Sequence, residues 1–156
     1  MTNTNSSIIY LTGIKHSGKS NVGAFCASLL QVPFIDLDNL IVDALPPLHP
    51  TIRSFYQNEG KDAFMDLEVK CLETFIRKRE TPGPLIVALG GGACDNKPLI
   101  ELMRETGTII YLSLKEETLL HRIKNTGIPP FLDKDDVESS FHPLFTQRDA
   151  AYRQLS

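Results

Sequence analysis

The sequence has no excess of basic residues: over 156 residues, 16 Lys and Arg stand against 19 Asp and Glu, a formal net charge of −3. A surface that binds nucleic acid or an anionic membrane needs the opposite balance, so neither partner is expected. Cysteine is scarce too. Cys26, Cys71 and Cys94 are an odd number without metal-ligand spacing, which argues against a disulfide framework or a zinc site and for a reducing compartment. No apolar run approaches the length that spans a bilayer, and the polar opening MTNTNSS lacks the basic region of a secretory leader. Internal repeats and low-complexity tracts are missing as well. What remains is one cytoplasmic domain, expected as a monomer, with 42% hydrophobic residues to fill one core and a small molecule as its partner.

Short β-branched runs alternate with longer amphipathic stretches, the pattern of a parallel sheet covered by helices. Nearly continuous apolar runs predict buried strands at 8–12, 33–37, 84–89 and 108–114. After the first strand, Val22, Phe25, Cys26, Leu29 and Leu30 recur at helical spacing, which predicts a helix turning this stripe to the sheet. Phe64, Leu67, Leu72, Phe75 and Ile76 predict a second long helix over about 60–80. The segment 39–58 is too long for a simple crossover, and its PPLHP predicts an inserted region of short helices. The stretch 125–136 mixes Gly, Pro and charge and reads as a mobile surface loop.

Gly13-Ile14-Lys15-His16-Ser17-Gly18-Lys19-Ser20 fits G-x-x-x-x-G-K-[ST] between a predicted strand and a predicted helix. Such a loop wraps an anion with backbone N–H groups and adds the positive end of the helix. Lys19 can reach the β- and γ-phosphates of a nucleoside triphosphate, and Ser20 can ligate Mg²⁺. Gly13, Ser17, Gly18, Lys19, Ser20 and Asn21 are therefore the candidate nucleotide contacts. FIDLDN places Asp36 and Asp38 at the end of the second strand, on one face because side chains alternate with period two, aimed at the ligand crevice of an open α/β sheet. The third strand ends in Gly90-Gly91-Gly92, where missing side chains let a ligand approach the backbone. Lys15 and His16 are assigned no role. His49, His121 and His142 have no partner at metal or triad spacing and are expected as ordinary surface or helix residues, and Cys94 as a packing thiol.

Taken in order, GIKHSGKS, DLD, GKDAFMDLE, GGG, NTGIPPFLD and RDAAY resemble the motif series of the shikimate kinases over nearly the whole chain. The resemblance implies a three-layer α/β P-loop kinase fold with strand order 2-3-1-4, as a single domain over 1–156. A substrate-binding helical insert at about 39–70 and a lid at about 125–138 would complete it. It further implies ATP as donor, Mg²⁺, and transfer of a phosphoryl group to a hydroxyl of shikimate, giving 3-phosphoshikimate in aromatic amino acid biosynthesis. By the same resemblance, Lys19 holds the transferring phosphate, Ser20 and Asp36 the magnesium, and Asp38 the acceptor hydroxyls and their proton. Gly90, Gly91, Gly92 and Arg148 belong to the acceptor site, and Arg122 flanks adenine.

The chain departs from the family pattern at four positions. Met65 stands where the family has the arginine that pairs with the substrate carboxylate, and Pro129 where the lid has its arginine. Lys61 replaces a glutamate, and His16 a common glycine. The family's further strand and terminal helix after Y-R are not expected here. Neither Met nor Pro can clamp a carboxylate or a phosphoryl group. Two alternatives thus stand beside shikimate phosphorylation: a related kinase for a gluconate-like acid, or a nucleotide-binding protein with weak or no catalysis. Lys124 and Lys134 are candidate substitutes for the lid cation.

Overall fold

Four short strands, β1 (Ile8–Thr12), β2 (Phe34–Asp36), β3 (Leu85–Ala88) and β4 (Gly107–Tyr111), pair in parallel in the order β2-β3-β1-β4. The structure is a computed structural model that describes residues 8–80, 83–129 and 131–156. Strands and order agree with the sequence reading: β1 falls on its expected range and the other three are trimmed or shifted by a few residues, but β2 and β4, at the sheet edges, are only partly buried. Side chains alternate across the sheet. Ile8 and Tyr10 of β1 join Leu85 and Val87 of β3 in the main core, while Leu11 and Ile86 point to the opposite layer with Ala27. Helices cover both faces: α1 (Lys19–Leu30), α2 (Leu37–Ala44), α3 (Ile52–Lys78), α4 (Lys97–Thr106), α5 (Glu116–Thr126) and α6 (Val137–Leu155). A 3₁₀ turn, Ala93–Asp95, links β3 to α4. Among the described residues, no helix is long and apolar enough to cross a membrane.

The roll of α1 overturns one expectation. Val22, Phe25, Leu29 and Leu30 lie outward, with Phe25 65% and Leu29 68% exposed, and the face against the sheet is Lys19, Gly23 and Ala27. The cause is local. Lys19 must turn back into the phosphate loop, and Gly23, one turn on, sits so close to Phe34 that an added Cβ would lie 2.5 Å from the ring. The small residues Gly23 and Ala27, one turn apart, let α1 approach the sheet, and this sets the helix's rotation against its apolar periodicity.

The insert between β2 and β3 has the predicted break, residues 46–50, between α2 and α3. α3 begins earlier than expected, at Ile52, and is interrupted at Gly60 (φ 89, ψ 177), after which it runs on to Lys78. Leu72 is fully buried there, with Phe64, Leu67, Phe75 and Ile76 packed around the same core. His49 is also a correction. It is 6% exposed, its Nε2 lies 2.8 Å from Glu59, and its ring meets Phe55 edge-on, because the first turns of α3 fold back over the proline-rich break. His121 and His142 are the exposed helix residues expected, meeting Asn125 and Glu116, each at 2.9 Å. The stretch expected as a lid is shortened by α5 and α6 at its two ends. Pro129 and Leu132 are buried, Leu132 in a second core with Ile14, Leu119 and Ile123, and Pro130 lies outside the described residues.

Candidate active site

The loop after β1 is shaped by its own backbone. The Ser17 amide donates to the Ile14 carbonyl at 3.1 Å, and Gly18 caps α1 in the left-handed region (φ 90, ψ 16), where a Cβ would be strained. His16 also has positive φ, 68°. The Lys19 ammonium fills the space the loop encloses, donating to the Gly13 carbonyl at 2.7 Å, the Ile14 carbonyl at 3.2 Å and Ser17 Oγ at 3.3 Å. Burial lowers its pKa to about 8, although Asp38 and Asp36 pull it back up. Burial lowers the His16 pKa as well, helped by Lys15, Lys19 and Arg122, which favours a neutral ring.

Ser20 opens α1 and donates to Asp36 Oδ2 at 2.5 Å, while Asp36 Oδ1 accepts from the Asp38 amide at 3.0 Å. Here the sequence reading needs a further correction. The two aspartates do not share a strand face, because β2 ends at Asp36, which is the N-cap of α2, and Asp38 lies in the helix's first turn. Both still line the same cavity. Burial raises the Asp38 pKa, repulsion from Asp36 adds to it, and Lys19 and Lys15 oppose the shift.

Gly90, Gly91 and Gly92 form the opposite wall. A Cβ on Gly91 would stand 2.8 Å from the Lys15 amide, so the two loops meet backbone to backbone. The triplet is held from α6: Tyr152 donates its hydroxyl to the Gly91 carbonyl at 2.9 Å, and one turn earlier the Arg148 guanidinium lies beside Gly92 and 5.9 Å from the centre of the Phe131 ring. Tyr111 stacks on Tyr152 at 5.1 Å, fixing it in place.

These groups enclose a cavity of ≈ 420 Å³. Of the residues anticipated from sequence, Gly18, Lys19, Ser20, Asn21, Asp36, Asp38, Gly90, Gly91, Gly92 and Arg148 line it. Gly13 and Ser17 act from beneath, as acceptors for Lys19. Arg122 does not line the cavity; it braces the loop from outside, donating to the His16 carbonyl at 2.9 Å. Lys124 is paired with Glu138 at 2.5 Å, and neither it nor Lys134 lines the cavity.

Sequence reasoning gave no role to Lys15, Tyr56, Lys61, Glu68 and Asn96. The first four line the cavity, and Asn96 stands behind it. Glu68 is only 3% exposed, and burial pushes its pKa up to about 7, against the Asn96 hydrogen bond. Asn96 caps α4 and donates to both the Met65 carbonyl (2.9 Å) and Glu68 Oε2 (3.0 Å), so it ties α3 to the glycine wall. An asparagine just before a proline-containing helix start is an N-cap signal, and that was the available clue.

Chemically, the cavity joins an anion cradle to an acidic wall and an open glycine edge. A family model described as shikimate kinase matches residues 15–156. A shikimate kinase of Chlorobium chlorochromatii is 32% identical over 154 residues, covering 94% of this chain and 77% of that protein. One from Prosthecochloris aestuarii is 33% identical over 155 residues, covering 94% and 75%. Among solved structures, a shikimate kinase from Acinetobacter baumannii in complex with shikimate superposes with a TM-score of 0.80 at 29% identity, covering 96% of this chain and 80% of that one. A shikimate kinase from Bacteroides thetaiotaomicron gives 0.79 at 27% identity, covering 96% and 83%.

Proposed function

The chain belongs to the shikimate kinase family, and from that premise we propose that it transfers the γ-phosphoryl group of ATP to a hydroxyl of shikimate. The observation that carries this is the meeting of Lys19, Asp38 and the Gly90–Gly92 backbone on one cavity. The loop amides and the N-terminus of α1 hold the β- and γ-phosphates, and the Lys19 ammonium exchanges its contacts with loop carbonyls for phosphate oxygens. Across the cavity, Asp38 orients the acceptor hydroxyl in line and receives its proton. Gly91 and Arg148 position the acid, residues 39–70 form the acceptor side, and residues 125–138 cover the site.

The donor set suits magnesium. Ser20 Oγ and Asp36 Oδ2, both hard oxygens, already meet at 2.5 Å beside the phosphate cradle. Ser20 and Asp36 would hold the ion, which supplies charge neutralisation on the phosphate oxygens. Pro129 supplies no charge to the phosphoryl group, so turnover should be slower than with a lid arginine.

Coupled ADP release, with shikimate, gluconate or no acceptor at matched ATP and Mg²⁺, tests the reaction. Release that depends on shikimate alone is the expected result. Release that depends on gluconate replaces the acceptor, and ATP binding without release under any condition replaces catalysis with nucleotide binding.

A further inference from the structure

Lys61 and Met65 stand one helical turn apart on α3, and both line the cavity. The family pattern carries glutamate at the first of these positions and arginine at the second. Here the positive charge sits one turn earlier and the second position is apolar. Lys19 is held inside the phosphate loop, and Arg148 lies beside Gly92 with its guanidinium 5.9 Å from the centre of the Phe131 ring, where it can share an acid with a second cation. Lys61 is different. Its side chain is 54% exposed, and its ammonium reaches only Asp95 Oδ2 at 3.5 Å, a long and solvated contact that an incoming carboxylate can replace.

The surroundings suit a ring acid. Tyr56 and Phe64 meet edge-on at 5.6 Å beside Met65 and offer apolar contact, while Asp38 and Glu68 are acceptors for hydroxyl groups. An acid whose hydroxyl meets Asp38 needs a cation for its carboxylate away from the phosphate loop, and Lys61 is a cavity-lining ammonium outside that loop. We propose that Lys61, together with Arg148, binds the acceptor's carboxylate and so takes over the work of the missing arginine at position 65. This rests on the reading of the site as one that phosphorylates shikimate.

Steady-state kinetics on the full chain, with shikimate and its methyl ester as acceptors, test it. Lys61→Met should raise KM for shikimate about tenfold or more, with KM for ATP within about twofold, because one charge-assisted contact to the acceptor is lost. Lys61→Arg should restore most of the affinity. Wild type should prefer the acid over its ester, and Lys61→Met should lose most of that preference, which a merely structural role would not produce. An unchanged shikimate KM in Lys61→Met, or equal losses on acid and ester, overturns the assignment while leaving the reaction intact. A wild type that turns over no shikimate overturns both.

Discussion

Lys19 is a buried ammonium whose hydrogen bonds all go to its own loop, and its lowered pKa has a measurable result. A bound triphosphate favours the charged form, so nucleotide binding raises this pKa and takes up a proton near pH 8. ATP affinity is expected to hold up to about pH 7.5 and to weaken above about 8, by up to about tenfold per unit, in calorimetric titrations. Lys19→Arg should remove that slope. The two aspartates divide by neighbour: Asp36 bonds Ser20, while Asp38 meets the glycine wall. Asp38→Asn should abolish transfer and keep ATP affinity, whereas Asp36→Asn should shift the Mg²⁺ dependence; identical metal titrations would contradict the division. Glu68 also bears on stability. Its folded pKa of about 7 lies above the ordinary 4.5, so its contribution is full below pH 4.5 and is lost as pH rises through 7. At about 1.4 kcal/mol per unit the loss reaches about 3 kcal/mol. Glu68→Gln should be more stable than wild type at about pH 8 and not at about pH 4, by denaturant titration.

Among the elements, α3 joins one wall of the cavity to the core and carries the break at Gly60. Its φ and ψ fall in a region that only glycine adopts readily, and no neighbour lies within 4 Å of a Cβ built there. Gly60→Ala should therefore cost about 1–3 kcal/mol through the backbone alone, read in thermal unfolding. It should also raise KM for the acceptor, since Lys61 follows directly. The helices also mark how far the sequence was legible. The loop from Gly13 to Ser20 was readable because its chemistry is contiguous, and the central strands β1 and β3 because burial on both faces makes them nearly uniformly apolar, while the edge strands β2 and β4 keep short apolar runs although they are only partly covered. The roll of α1 was not, since the contact between Gly23 and Phe34 is made across the sheet and outweighs the local period. Asp38 was misplaced on a strand face for a related reason: a cap at Asp36 starts a helix where alternation predicted more strand. His49 was missed because its partner Glu59 arrives ten residues later, by the folding back of α3.

For the molecule as a whole, one cavity lies where the outer ends of β1, β2 and β3 meet α3 and α6, bounded by two packed cores. The far side of the sheet has a different character, set by the outward strip of α1. Val22, Phe25, Leu29 and Leu30 contribute little to the core, yet they place a row of large apolar side chains against water. Excluded salts strengthen contact between such surfaces, so this protein should salt out early, at a sulfate concentration set by the strip rather than by the net charge of −3. Phe25→Lys with Leu29→Lys should raise the ammonium sulfate concentration at half-precipitation, while the thermal midpoint stays within about 2 °C because exposed side chains are being exchanged. If the precipitation curve does not move, the strip does not govern how the folded molecule meets its solvent.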